Sequence, residues 1–217
     1  MTEATDNRSV DLEVSGHVAS VVFNQPSRHN AMSLSMWQQL AAHMQQLNSA
    51  ESALARVVVL TGAGERSFVS GSDISEFQEQ RSGDDAINRY NKIAADAETS
   101  IYNCPCYCMG GGLGIAMGCD LRLCSDDAVF SLPAGLLGLG YEFDAVCKLF
   151  DLLGPTATSQ LFYGGKKLDA AQALELGLVN QVVPEHSLED EVNQLAEGIA
   201  QQAPLTLKAY KAALLEY

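Results

Sequence analysis

YCMGGGLGIAMGCDLRLCS, residues 107 to 125, is the stretch of this 217-residue chain on which the reading of the fold turns. Gly110, Gly111 and Gly112 open a run too apolar to be a solvent loop. Without Cβ atoms, their backbone N–H groups can come close to a ligand and take up turn geometry. LGIAMGC then reads as a short buried helix, which puts the glycines at its N-terminus. Unsatisfied N–H groups and the positive end of the helix dipole favour an anionic oxygen there. Such a place suits an oxyanion that develops during a reaction. The same glycines would also serve a turn that merely lets helices pack tightly.

Working outward, VDLEV at 10 to 14 and HVASVVF at 17 to 23 flank Ser15 and Gly16, which predicts a hairpin. Leu34, Trp37, Leu40, Met44 and Leu47 then recur at helical spacing on one face. RVVVLTGAG, residues 56 to 64, reads as a buried strand entering a loop, and Ser72 and Asp73 in SFVSGSDISEF can cap a following helix. A long polar helix is predicted from Asp84 to about Tyr102. Beyond the glycine run come two short β-like pieces, LRLCS and AVFSL, and a second glycine-rich loop, PAGLLGLG. Helical patterns follow at about 142 to 153, 155 to 163 and 169 to 177, then a strand at 178 to 183 and helices from about Leu188 and Pro204. Short strands alternating with helices predict the α/β class. The expected organisation is one domain over residues 1 to 217, with a helical C-terminal subdomain from about Gly154.

Composition narrows the partners. Hydrophobic residues make up 47% of the chain and charged residues 18%, so a sizeable core is available. Lys and Arg number 13 against 27 Asp and Glu, and the net charge of -14 argues against nucleic acid or an anionic membrane as main partner. A small anionic ligand is still compatible, since a few local donors decide that. The first residues carry no apolar signal region and no apolar run reaches bilayer length, so a cytoplasmic protein is expected. The six cysteines then read as reduced thiols. Cys104, Cys106 and Cys108 lack the paired spacing of a zinc module, and no metal is expected.

Nucleotide-phosphate motifs fail on inspection. Gly110 and Gly112 are followed by Ile115 where G-x-G-x-x-G needs its third glycine, and Gly165-Lys166 has Gln160 where a P-loop needs its first. There is no G-x-S-x-G elbow and no H-E-x-x-H. Two loops offer backbone donors instead, SGSD at 70 to 73 and MGGG at 109 to 112, each between apolar sequence and a helical pattern.

NQPSRHNAMS at 24 to 33, SFVSGSDISEF at 67 to 77, the run from Tyr107 to Gly140, and LDAAQALELGLVNQVVP at 168 to 184 occur in an order that resembles the crotonase superfamily, the enoyl-CoA hydratase/isomerase family. The resemblance implies a crotonase-like spiral of ββα units with a helical C-terminal part. It also implies an acyl-CoA substrate whose thioester carbonyl lies between two backbone N–H groups, here matching Ser72 and Gly111. Coenzyme A, carried as part of the substrate rather than as a tightly bound cofactor, would be held around the positions matching Arg28, Ala31, Ser70, Ser72, Asp73, Ile74 and Gly111. A homotrimer, or a hexamer of two trimers, is implied as well.

The usual catalytic carboxylates of a hydratase of this family fall at Gly114 and Ala134. Adding water to an enoyl double bond needs a positioned acid and base. The nearest titratable groups are Tyr141 and Glu142, which match positions that carry a tyrosine in family decarboxylases and a nucleophilic aspartate in a family dehalogenase. Tyr141 could orient or protonate at the enolate carbon, and Glu142 could act as acid, base or nucleophile. The plainer reading makes Glu142 a first-turn helix carboxylate and Tyr141 a core ring. Asp120 reads as structural, at the end of the glycine helix.

The family's core strand before the glycine loop is expected to be missing, since only Cys106 separates SIYNCP from YCMGGG. The C-terminal helices are expected to be cut short at Tyr217. The function expected is lyase chemistry on an acyl-CoA thioester, decarboxylase-like or an atypical hydratase. The alternative is a catalytically silent homologue that binds acyl-CoA or modifies an oligomer.

Overall fold

The structure is a computed structural model and describes residues 8–49, 55–76, 84–104, 107–109, 113–132, 135, 140–141, 143–165 and 167–216. The chain divides into two compact units, Met1–Cys108 with Ala196–Tyr217, and Met109–Leu195.

The first unit is built on a sheet whose strands lie in chain order: β1 (Ser9–Ser15), β2 (Val18–Asn24), β3 (Val57–Gly62) and β4 (Tyr107–Met109). β1 and β2 form the predicted hairpin, closed at the Ser15–Val18 pair by Gly16 at φ +59, which a side chain would resist. β2 buries Ala19, Val21 and Phe23 in alternation, as one inward face requires. β3 runs parallel to β2 and buries Val57, Val58, Val59 and Leu60 in succession, the pattern of a strand covered on both faces. Parallel strands need a crossover, and α1 (Leu34–Asn48) lies in it. α1 buries Met36, Trp37, Leu40, Met44 and Leu47, and its cap Ser33 accepts the Met36 N–H at 3.2 Å. Leu34, read as the first residue of that stripe, is only half-buried. α2 (Asp84–Tyr102) packs against α1. There Trp37 Nε1 donates to the Tyr90 hydroxyl at 3.2 Å, and that hydroxyl donates to the Met32 carbonyl at 3.3 Å.

The expectation of a missing strand is corrected by β4. The residues immediately before the glycines are themselves the fourth strand. Pairing is a backbone property, so three residues suffice to occupy the place beside β3.

The second unit contains α3 (Leu113–Ala116), β5 (Leu123–Ser125), β6 (Val129–Phe130), α4 (Phe143–Gly164), β7 (Leu168–Asp169), α5 (Ala170–Glu175) and β8 (Gln181–Val183). β5 pairs in parallel with β8, and β6 antiparallel with β7. Cys124, Leu149, Leu161, Leu168, Ala173 and Leu178 are at the centre of its core. The two helical patterns predicted on either side of Gly154 are both present, as two helices that meet at a kink at that glycine within α4. Gly154 takes φ +72 and Pro155 follows without an N–H to continue the ladder. The strand predicted at 178 to 183 is shorter, because Leu178 and Val179 turn back to the Ala173 carbonyl and point into the core.

Arg122 holds this unit together from within. It is buried, donates through Nε to Leu178 O at 2.8 Å and through Nη1 to Cys119 O at 2.6 Å, and takes Asn180 Oδ1 on its own N–H at 2.8 Å. Burial pushes the guanidinium below its ordinary pKa, against the opposing pull of Cys119 and Asp120. α6 (Leu188–Ala200) and α7 (Pro204–Glu216) follow. Within the first unit Arg56 Nη1 donates to Ala200 O, at the C-terminus of α6, at 2.8 Å, where a cation is favoured. Among the described residues no helix is long and apolar enough to cross a membrane.

Candidate functional site

Two loops of the first unit, residues 25–33 and 62–76, are fastened to each other by hydrogen bonds. The centre of the fastening is Asn30, which is fully buried with φ +53, next to His29 at φ +54. Asparagine tolerates this left-handed backbone better than most residues. Its Oδ1 accepts the Gln25 N–H at 2.8 Å, and its Nδ2 donates to Ala63 O at 3.0 Å and Ser67 O at 2.7 Å. Gly62 makes room for that amide, for a Cβ there would run into the carbonyls of Ser67 and Phe68 and come within 2.7 Å of Asn30 Nδ2. Ser70 donates its N–H to His29 O at 3.1 Å and its hydroxyl to Arg28 O at 3.4 Å.

The geometry at Ser72 is the most informative. Met32 and Ser72 form a parallel bridge in which the Met32 N–H donates to Gly71 O at 2.7 Å and the Asp73 N–H donates to Met32 O at 2.9 Å. In such a bridge the residue between the two bonds presents its own N–H and C=O away from the partner strand. The Ser72 N–H therefore points outward, and among the described residues it donates to nothing. Gly71, at φ +110, allows the turn that delivers it.

Asp73 is turned the other way. It is 3% exposed, and its Oδ1 accepts the Ser75 hydroxyl at 2.6 Å, the Ser75 N–H at 3.0 Å and Arg28 Nη1 at 3.3 Å. Its Oδ2 accepts Gln25 Nε2 at 3.4 Å and lies 3.6 Å from Arg8 Nη1. Burial works to raise the carboxyl, but the Ser75 and Gln25 hydrogen bonds and the Arg28 charge bring it below its ordinary 3.8. Asp73 thus caps a single 3-10 turn, Ile74–Glu76, rather than opening a helix directly.

The structure brings Arg28, Ala31, Ser70, Ser72 and Asp73 together in these two loops, with the Ile74 backbone opening the turn beside them. Ala31 is buried and its N–H closes on Arg28 O at 3.1 Å. The Arg28 side chain is 44% exposed while Nη1 also reaches Ser75 Oγ at 2.7 Å, so it is held but accessible. In the second unit Tyr141 is neither a core ring nor isolated. It is 38% exposed and packs edge-on against Phe162 at 5.2 Å between ring centroids. Gly114 is half-buried in α3. Gly111, Glu142 and Ala134 lie outside the described residues.

Sequence reasoning missed Asn30, Gln25, Arg8 and Glu76. Asn30 lies within NQPSRHNAMS, and its place in a turn between two apolar segments is the available signal. Nothing local marked the side-chain contacts of the other three, whose partners are remote in sequence.

This α/β fold has counterparts among known proteins. The family model for enoyl-CoA hydratase/isomerase matches residues 13–216, and the chain belongs to that family. It is 32% identical over 215 residues to the short-chain-enoyl-CoA hydratase of Clostridium acetobutylicum, which covers 95% of this chain and 80% of the relative. It is 30% identical over 211 residues to the carnitinyl-CoA dehydratase of Proteus mirabilis, covering 94% and 79%. Among solved structures, an enoyl-CoA hydratase/carnithine racemase from Magnetospirillum magneticum superposes with a TM-score of 0.90 at 29% identity, over 95% of this chain and 80% of that one. An enoyl-CoA hydratase from Bacillus anthracis gives 0.87 at 27% identity, over 94% and 81%. The fold is the crotonase fold.

Proposed function

We propose that this chain is a lyase acting on an acyl-CoA thioester, and that the Ser72 amide is one of the donors to the thioester carbonyl. The observation that carries the reading is the outward Ser72 N–H, unpartnered among the described residues and set by the Met32 bridge on one side and the buried Asp73 carboxylate on the other. A donor fixed in advance stabilises negative charge on an enolate oxygen without reorganising, and one such donor is worth about 10²–10³ in kcat. The second donor assigned by the resemblance is Gly111, and the proton-handling groups are Tyr141 and Glu142, since Gly114 and Ala134 carry no carboxylate. Relatives named hydratase and dehydratase support addition or removal of water as the reaction class. Decarboxylation of a malonyl-type thioester would make use of the same enolate. The exposure of the Arg28 side chain beside the loop supports its meeting a phosphate of coenzyme A, and assembly as a trimer or hexamer is what the resemblance implies.

Turnover is tested on crotonyl-CoA, 3-hydroxybutyryl-CoA and methylmalonyl-CoA with wild type, Ser72→Pro and Ser72→Ala. Proline deletes the N–H, whereas alanine keeps it. The reading expects Ser72→Pro to lose about 10²-fold or more in kcat, with a much smaller loss for Ser72→Ala. Equal losses would move the role to the hydroxyl. Tight acyl-CoA binding with no product from any thioester would favour the silent homologue. Full turnover by Glu142→Gln would remove Glu142 from the chemistry.

A further inference from the structure

We infer that Glu76 is a positioning residue for the Ser72 amide, an inference that rests on Ser72 as a donor to the thioester carbonyl. Glu76 ends the 3-10 turn that follows the SGSD loop, and its carboxylate leaves that turn to span two other elements. Oε2 accepts the Leu34 N–H, the first N–H of α1, at 3.0 Å. Oε1 accepts Arg8 Nη1 at 2.7 Å, and the same Arg8 nitrogen lies 3.6 Å from Asp73 Oδ2. The loop is therefore attached twice to one short segment, at Ser72 through the Met32 bridge and at Glu76 through the start of α1.

Helix termination does not require this second attachment, for Ser33 already caps α1 through the Met36 N–H. Its distinctive consequence is for the loop. α1 is anchored through Met36, Trp37, Leu40, Met44 and Leu47, all 5% exposed or less, so its first turn is a fixed base. The carboxylate sits where the helix dipole and Arg8 both favour negative charge. With one end of residues 72–76 on the bridge and the other on that base, the direction of the Ser72 N–H is held from both sides. A displacement of about 1 Å at a reacting centre costs about 10²-fold in rate. A released loop has that freedom.

The test compares wild type, Glu76→Ala and Glu76→Gln. Its readouts are kcat and KM on crotonyl-CoA, the infrared stretch of the ¹³C-labelled thioester carbonyl in the bound ester, and amide exchange of the peptide covering residues 70–76. Glu76→Ala is expected to lower kcat about 10-fold or more, to leave KM within about threefold, to erase most of the carbonyl red-shift, and to speed exchange at Asp73, Ser75 and Glu76. Glu76→Gln, which keeps an acceptor for Leu34 N, should recover part of both shift and kcat. A carbonyl shift in Glu76→Ala equal to that of wild type would overturn the role of Glu76 alone. A wild type that shows no shift at all would overturn the Ser72 donor reading, and this inference with it. A rise in KM without loss of kcat would also overturn it, making Glu76 a binding residue.

Discussion

Replacing Asn30 by alanine should be among the most damaging single changes in the first unit. The side chain closes three hydrogen bonds, to Gln25 N, Ala63 O and Ser67 O, from a position with no solvent exposure. Leaving the buried Gln25 N–H unpaired costs about 2 kcal/mol, within the range for an orphaned buried donor. The two carbonyls lie in half-buried loop segments that water can partly reach, so together they add about 1 kcal/mol. Alanine at φ +53 adds about 1 kcal/mol more, since it tolerates the left-handed region less well than asparagine. The sum is about 4 kcal/mol, a large share of the 5–15 kcal/mol typical of a folded domain. Trp37 is the single tryptophan and is buried in α1 of the same unit, so its fluorescence reports this unfolding directly. With an m-value of about 2 kcal/mol/M in urea, the midpoint should fall by about 2 M. Asn30→Gly should be about 1 kcal/mol milder than alanine because glycine accepts the backbone. Asn30→Asp should be at least as harmful as alanine, since it sets a carboxylate against two carbonyl oxygens. A loss below about 1 kcal/mol for alanine, or an aspartate variant close to wild type, would refute the view that this amide fastens the two loops.

Further outcomes follow from the same geometry. Because the folded Asp73 pKa lies below its ordinary value, its stabilisation is complete above about pH 4 and is lost as pH falls through the folded pKa. Unfolding midpoints measured between pH 2 and pH 7 should therefore drop more steeply below about pH 4 for wild type than for Asp73→Asn, and parallel curves would count against it. Gly62→Ala should lose about 1–3 kcal/mol, because the new methyl meets backbone carbonyls that cannot move aside cheaply, and a thermal midpoint equal to wild type would contradict the packing. The Cys124 thiol, buried and raised to about 11 by that burial and by Asp127, should resist iodoacetamide at pH 8 in the native state and react once unfolded. Mass spectrometry of native alkylation reads this directly, and prompt labelling would show that the second unit opens.

Local periodicity and turn chemistry determined a good deal of this protein. The β1–β2 hairpin, the inward stripe of α1, the continuous burial of β3 and the extent of α2 follow from spacing alone, since each element is stabilised by residues close in sequence. The ordered motifs also indicated the family, and SGSD as a loop that carries a donor. What tertiary structure decided is which way that donor faces. Met32 and Ser72 come together through pairing of two separate loops, and that pairing sends the Ser72 N–H outward and the Asp73 carboxylate inward, though the residues are adjacent. No periodicity encodes a contact between remote segments, so Arg8 and Glu76 carried no local mark of their contacts. The same reason explains β4: Tyr107–Met109 is a strand because β3 offers it a ladder, a condition met only in the folded sheet.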